Sequence, residues 1–477
     1  MKKSYTKAYP RILDWYTDND LVALIPEWWA LESLMELQKN LVILPLVNRD
    51  YDKYFMEAGN VVNLNRTGDF TALRKQKGSK ITVQSADASA DTVELNQHYH
   101  VSYYLDDQDL RATMGDLRPK YIQKAAIAMA EALDMVITGE VYNFLDNAAG
   151  QAGAAVTDQY VRDLAEIFTR NNNTRAGRNC IVGPATENDL LGIDRFVEAR
   201  MIGNGEAILN NMLGRMRGFD FYVASQIPEV AAGTTINTDN TVTANTPAGQ
   251  TSIGVTEAGT DLVAGHWVLI AGDAQPHRIV SYTTAVGTGT MVLDTPLRNA
   301  VTAAAVISEY TSLALIAQAV APAGYAAGYS GEIVVDTSAP EGTLKIGQGI
   351  SFSTAASAAV QDPRYTITGL SHAGGFIVGI TLNRPLDVAL VDNGVVNPIP
   401  PANYNLAFMR DAMTFVNRPL QPADAGSGVN AAWNAYNGIA IRVTIGYDQD
   451  YMGQKVTLDT LCGVKTLDPD MGGILLS

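Results

Sequence analysis

The strongest hydrophobic pattern lies in the first third of the chain. In "LRPKYIQKAAIAMAEALDMVITGEVYNFL", Ile122, Ala126, Met129, Leu133, Ile137 and Val141 recur at helical spacing. Lys120, Lys124 and Glu131 fall off that stripe, and Pro119 suits a first helical turn. The spacing predicts a helix over 119–145, about 40 Å long at ~1.5 Å per residue. A helix of that length is a spine, not a local cap. Upstream, "PEWWALESLMELQKNLV" places Trp28, Leu31 and Met35 on one side, which predicts a helix opening at Pro26.

Between these helices the period changes. Short β-prone runs at 61–64, 81–83 and 92–95 alternate with polar, glycine-containing turns. They predict a long hairpin over 58–97 with little core of its own. An isolated two-stranded hairpin is marginal in water, so this one needs support from elsewhere, a neighbouring subunit being one candidate. After the spine come a helix over "TDQYVRDLAEIFTRNN" with Thr157 as N-cap, a buried strand "NCIVGP", a helix over "ATENDLLGIDRFVEAR" and a strand "GFDFYVASQIP".

From 229 to 403 the chain is rich in Gly, Ala, Thr and Val, with short alternating runs that predict an all-β barrel or sandwich. A loose internal repeat is visible there. "LVAGHWVLIAG" resembles "LKIGQGISFST", and "MVLDTPLRNAV" resembles "ITLNRPLDVAL", with Pro296 matching Pro385. Two related modules are expected. "YNLAFMRDAMTFVNRPLQP" then brings back the patterning of the first 228 residues. It is followed by two runs in which Ile439, Ile441, Val443 and Ile445, then Val456, Leu458, Cys462 and Val464, alternate with polar residues except at Thr460. This pattern predicts an amphipathic hairpin with one buried face.

A chain of 477 residues exceeds one ordinary domain. The net charge of −16 argues against a general nucleic-acid binder or a ligand of anionic membranes. Thirteen acidic and five basic residues between 226 and 403 supply half of it. Two cysteines, Cys180 and Cys462, make no disulfide framework, and both read as buried packing residues. The basic opening "MKKSYTKAYPRILDW" is followed by no apolar core, so no secretory leader is expected. No apolar run approaches bilayer length, and no membrane association is expected.

Candidate chemistry is sparse. His98 and His100 share a strand face, but two ligands do not complete a tetrahedral zinc site. Asp106, Asp107 and Asp109 lack the Gly and distal Glu of a calcium loop. No nucleophile–base–acid set is legible among five histidines, so neither catalysis nor a cofactor is expected. Arg74, Lys75, Lys77 and Lys80 cluster at the expected hairpin tip.

The order of these parts resembles the major capsid (coat) proteins of tailed double-stranded DNA bacteriophages, a fold shared with herpesvirus capsid floors and encapsulins. The likeness is to the podovirus-type branch, in which a β-barrel domain is inserted. It rests on "LVNRDYDKYFMEAGNVVNL", "HVSYYLDDQDL", "GFDFYVASQIP", "LAFMRDAMTFVNRPL" and "RVTIGYDQDYMGQKVTLDTLCGVKTLDPDMGGIL", and covers roughly 20–228 and 404–477. It implies an α+β fold with an N-terminal arm and arm helix (1–50) and an extended hairpin loop (51–97). A peripheral domain with the spine helix (98–149) and an axial domain (150–228) follow, then an inserted β domain (229–403) and a return to both domains (404–477).

The resemblance further implies self-assembly into hexamers and pentamers of an icosahedral head enclosing double-stranded DNA. A scaffolding protein, a portal and a decoration protein are the implied partners, and the virion, assembled in the host bacterial cytoplasm, is the implied location. Within it, Arg74, Lys75, Lys77 and Lys80 are expected to meet Asp106, Asp107, Asp109 and Asp116 of a neighbouring copy. The insertion departs from the branch in being longer. No Lys, Asn and Glu match the covalent cross-link of some relatives. Two alternatives stay open: an encapsulin-like compartment shell, and a β-rich glycan-binding protein or hydrolase using 229–403.

Overall fold

The computed structural model describes residues 41–50, 61–67, 72–75, 77, 80–81, 88–106, 117–193, 214–224, 227, 236–258, 262–273, 275–285, 287–310, 314–315, 324–335, 343–353, 360–390, 394–418, 420–421, 429–436, 439–449 and 452–477. The expected arm and arm helix before residue 41 lie outside them, as does most of the segment expected as a helix after Leu191. The architecture is mostly β, with few helices.

Strands β1 (Val61–Thr67) and β2 (Ala88–Glu94) form an antiparallel ribbon with Val61 opposite Glu94 and Thr67 opposite Ala88. Among the described residues the pairing ends there. Ile81, expected in a strand, instead lies in irregular backbone at the tip and is 74% exposed. Strand β3 (Gln97–Asp106) follows directly, and then helix α1 (Leu117–Thr138). Its predicted stripe of Ile122, Ala126, Met129, Leu133 and Ile137 is buried.

The spine is shorter than its period suggested. At Gly139 the α-helix gives way to a 3-10 segment, Gly139–Asn147. Glycine is a poor helix former, and a Cβ there would sit 2.5 Å from Asn383 Nδ2. The close approach of that side chain requires the glycine that ends the helix.

Strand β4 (Ala148–Gly150), helix α2 (Asp158–Arg170), strand β5 (Arg178–Val182), helix α3 (Pro184–Leu191) and strands β6 (Arg215–Met216) and β7 (Phe219–Val223) build a small α/β unit. Thr157 occupies the N-cap position of α2 in extended backbone, but its side chain makes no capping hydrogen bond. Its carbonyl instead accepts from the Tyr160 and Val161 N–H groups.

Six strands then close into a barrel: β8 (Ile236–Val242), β9 (Ser252–Thr256), β10 (Trp267–Ile270), β11 (His277–Ala285), β12 (Thr288–Leu293) and β13 (Val306–Tyr310). A second six-stranded sheet comprises β14 (Ala314–Leu315), β15 (Ile333–Val334), β16 (Gly349–Ser353), β17 (Val360–Ala373), β18 (Phe376–Leu382) and β19 (Val395–Pro398). Each has its own apolar core.

Strand β20 (Tyr404–Met409) returns the chain to the α/β unit. Leu406 lies opposite Ile181 of β5 on one side. On the other it lies opposite Ile474 of β25 (Gly472–Leu476), after the intervening strands β21 (Met413–Arg418), β22 (Val429–Tyr436), β23 (Ile439–Asp448) and β24 (Gly453–Thr466). The order β4-β25-β20-β5-β7-β6 makes one sheet. Strand β24 carries β3 along one edge and β23 followed by β21 along the other. The apolar face of this second sheet packs with α1 in the largest core cluster, which also takes in Trp267 and Tyr310 of the barrel.

Thr460 interrupts the apolar alternation for a reason. It is buried at the point where β21 and β23 meet end to end on β24. Its hydroxyl accepts from Asn417 Nδ2 at 2.5 Å and donates to the Ala440 carbonyl at 2.8 Å, while Asn417 Oδ1 accepts from the Ala440 N–H. Two strand ends are thereby satisfied where a methyl group would leave them bare.

Candidate assembly surface

The ribbon β1–β2 forms a sheet by itself among the described residues. It touches the body at its root, where Val93 and Leu95 bury against Val416 of β21, flanked by Leu461 and Leu467. The root lies directly on β24: a Cβ at Gly463 would fall 2.1 Å from the Glu94 carbonyl oxygen. Beside it is a cavity of about 410 Å3, bounded by Glu94, Asn96, Gln97, Arg384, Asp387 and Lys465 among others. At the far end Arg74, Lys75, Lys77 and Lys80 are all exposed, together with Leu73 at 61% and Ile81 at 74%. Two large apolar side chains and four cations thus share one solvent-facing tip.

The acidic half of the expected pairing is only partly in view. Asp106 ends β3 opposite Gly453, whereas Asp107, Asp109 and Asp116 lie outside the described residues.

The histidine pair does not gather a metal set. His98 Nε2 lies 3.0 Å from Asp459 Oδ2, and Arg442 binds the same carboxylate. His100 shares the face with its ring centroid 6.5 Å away. Among the described residues no group of three or more His, Cys, Asp or Glu could hold a metal ion. Cys180 and Cys462 are free and fully buried, as expected, and burial pushes the Cys462 thiol up to about 12. Burial also raises Cys180. Neither thiol is an available nucleophile. Two further histidines pair with carboxylates inside the barrel, His277 with Asp273 and His266 with Glu309. These pairs are buried, His277 and Asp273 completely, and present no reacting atom to a substrate.

Sequence reasoning missed the buried polar links that hold α1 and the 3-10 segment to distant parts of the chain. Asp134 on α1 accepts from the backbone N–H groups of Val42, Ile43 and Leu44 at 3.0–3.3 Å. Burial pushes its carboxyl up to about 6, against the opposing pull of those three donors. This clasp fixes the chain just after residue 40 against the spine.

The 3-10 segment is the second link. Glu140 is buried and takes Arg384 Nη1 at 3.2 Å, Asn143 Nδ2 at 2.6 Å and the Thr466 hydroxyl at 3.1 Å. Burial raises its carboxyl, with Arg384 pulling the other way. Thr366 Oγ1 donates to the Gly139 carbonyl, Arg364 Nη1 to the Tyr142 carbonyl, and the Tyr142 hydroxyl to the Gly347 carbonyl. A signal existed for one of these: Gly139 breaks a strong helical period. Residues separated by more than 200 positions carry no local signal for the rest.

No family model matches the sequence, and no curated protein matches it. Solved structures similar to the chain include one from Mycobacterium phage Che8, at 12% identity and a TM-score of 0.43 over 91% of this chain and 90% of that one. The capsid of Cyanophage P-SCSP1u is similar at 11% identity and a TM-score of 0.41, over 88% and 84% of the two chains. A virus-like particle from Pyrococcus furiosus is similar at 10% identity and a TM-score of 0.28, over 59% of this chain and 93% of that one.

Proposed function

We propose that this chain is the major capsid protein of a tailed double-stranded DNA bacteriophage, with an inserted β domain, and that it acts by repeated contact between copies. The observation that carries this reading is the β1–β2 ribbon. It pairs with no third strand among the described residues, is held at its root, and carries an exposed tip with Leu73, Ile81 and four cations. A two-stranded ribbon is marginal when left in water. A tip of this composition suits an acidic, partly apolar surface on another copy. The sequence resemblance supports the same reading through the order of ribbon, spine helix, α/β unit and closing hairpin.

Copies assemble as hexamers and pentamers into an icosahedral shell around DNA, aided by a scaffolding protein and a portal. The acidic overall charge keeps the wall from adhering to phosphate. The buried histidine–carboxylate pairs and thiols favour a structural role over an enzymatic one.

Electron microscopy after overexpression tests the proposal. Closed shells or polyheads are the expected result. Persistent monomers at high concentration would overturn it, and shells that enclose protein cargo in the native host, without nuclease-protected DNA, would favour a compartment shell instead.

A further inference from the structure

We infer that the barrel (236–310) and the second sheet (314–398) are tandem copies of one module, and that corresponding loops of the two copies anchor the pair to two different parts of the body. The strand orders coincide. Replacing β14, β19, β16, β17, β18 and β15 by β8, β13, β10, β11, β12 and β9 reproduces the barrel's cyclic order.

The hydrogen bonds of the loops beside these strands repeat as well. Gly249 N–H donates to the Leu297 carbonyl and Gly328 N–H to the Leu386 carbonyl, both at 2.7 Å. Thr246 and Val301 exchange two bonds, as do Tyr325 and Leu390. The Arg278 N–H donates to Asp294 Oδ1 at 2.9 Å, and the Thr366 N–H to Asn383 Oδ1 at 3.0 Å. Gly249 and Gly328 share a left-handed φ of 87° and 85°, and Gly265 and Gly347 one of 94° and 89°. These pairs keep one spacing within each loop and match the weak sequence repeat around Pro296 and Pro385. Turns of unrelated origin would not converge on the same donors, acceptors and glycine conformations together.

The corresponding loops, 294–301 and 383–390, each send one arginine into the body. Arg298 Nη2 reaches the Asp163 carbonyl of α2 at 3.5 Å; burial works against its charge and lowers its pKa, with Asp163 and Glu166 of that helix pulling the other way. Arg384 binds Glu140 in the 3-10 segment that continues α1. The two arginines occupy different positions in the aligned loops: Arg298 aligns with Asp387 of the second copy, and Arg384 with Thr295 of the first. The shared loop has therefore been fitted to two targets separately. Trp267 of β10 donates to Ser351 Oγ of β16 at 3.0 Å and lies under Arg364, so the copies also hold each other through corresponding strands. The two loop arginines thus tie the first copy to the α/β unit and the second to the spine, beside the second copy's bonds to Gly139 and Tyr142 and the burial of Trp267 and Tyr310 with α1.

Hydrogen exchange on the full chain tests both halves. Arg298→Ala is expected to speed amide exchange in Asp158–Arg170 by roughly two- to fivefold and to leave Gly139–Asn147 unchanged. Arg384→Ala is expected to do the reverse. Because it strands a buried carboxylate, the paired change Glu140→Gln with Arg384→Met gives the same readout without an unpaired charge. Asp294→Asn places the second copy's residue in the first, and should leave exchange at the Arg278 amide unchanged, whereas Asp294→Ala should accelerate it. Loosening of both regions by either arginine variant, or of neither by both, would overturn the separate anchoring roles of the two arginines. Equal acceleration in Asp294→Asn and Asp294→Ala would overturn the equivalence of the copies.

Discussion

At the scale of single residues, the decisive groups are buried and polar. Asp134 is the clearest. Its three backbone donors favour the carboxylate, but loss of water outweighs them and its carboxyl rises from 3.8 to about 6. A raised carboxyl gives the folded state extra proton affinity. Its stabilising contribution is complete below about pH 4, shrinks as pH rises through 6 and is gone at pH 7, a difference of roughly 3 kcal/mol. The Asp134→Asn chain lacks this titration. The gain in unfolding free energy from pH 7.5 to pH 5 should therefore be larger for the natural chain, as read by denaturant unfolding at both pH values. Parallel pH dependences would contradict the assignment. None of this was legible in the sequence, where Asp134 is one polar position on a helix whose stripe ran through Leu133 and Ile137. The clasp partners are 90 residues away and are backbone groups without side-chain signature.

Elements were more legible than their joints. The apolar stripe of α1, the alternation of β23 and β24 and the short strands between 236 and 398 follow from local period, because one face of each is buried. What period does not show is where an element stops for the sake of a distant neighbour. The α-helix gives way at Gly139, where the Asn383 side chain lies close against the backbone. The ribbon begins where Gly463 lets the Glu94 carbonyl lie on β24. That second contact predicts a local effect. Gly463→Ala must displace backbone, not a flexible side-chain end, and should loosen the packing of Val93 and Leu95 on Val416 at a cost of roughly 1–3 kcal/mol. Limited proteolysis around 94–97 should accelerate. Gly254→Ala in β9 is the control, since its Cβ meets only ordinary contacts at 3.5 Å. Equal protease resistance of the two variants would show that the root does not depend on Gly463.

For the whole molecule, the question is why a ribbon with so exposed a tip is retained. Among the described residues, Val93 and Leu95 bury against Val416 at its root, and Leu73 and Ile81 stand in water. The proposed assembly gives this tip a second surface to pack against. Each exposed ion pair made by Arg74, Lys75, Lys77 or Lys80 is worth about 0–1 kcal/mol, too little to hold two copies together. Under the proposed assembly every copy both gives and receives a tip, so small terms would set register while apolar contacts supply affinity. Reversing the charge in the double variant Arg74→Glu with Lys75→Glu should therefore leave the thermal unfolding of the free subunit unchanged and sharply lower the yield of shells. Raising the salt should weaken assembly of the natural chain in the same direction, because the Debye length shortens to ~3 Å at 1 M. Normal shells from the double variant would remove the tip's cations from the assembly contact and leave Leu73 and Ile81 as its only candidates.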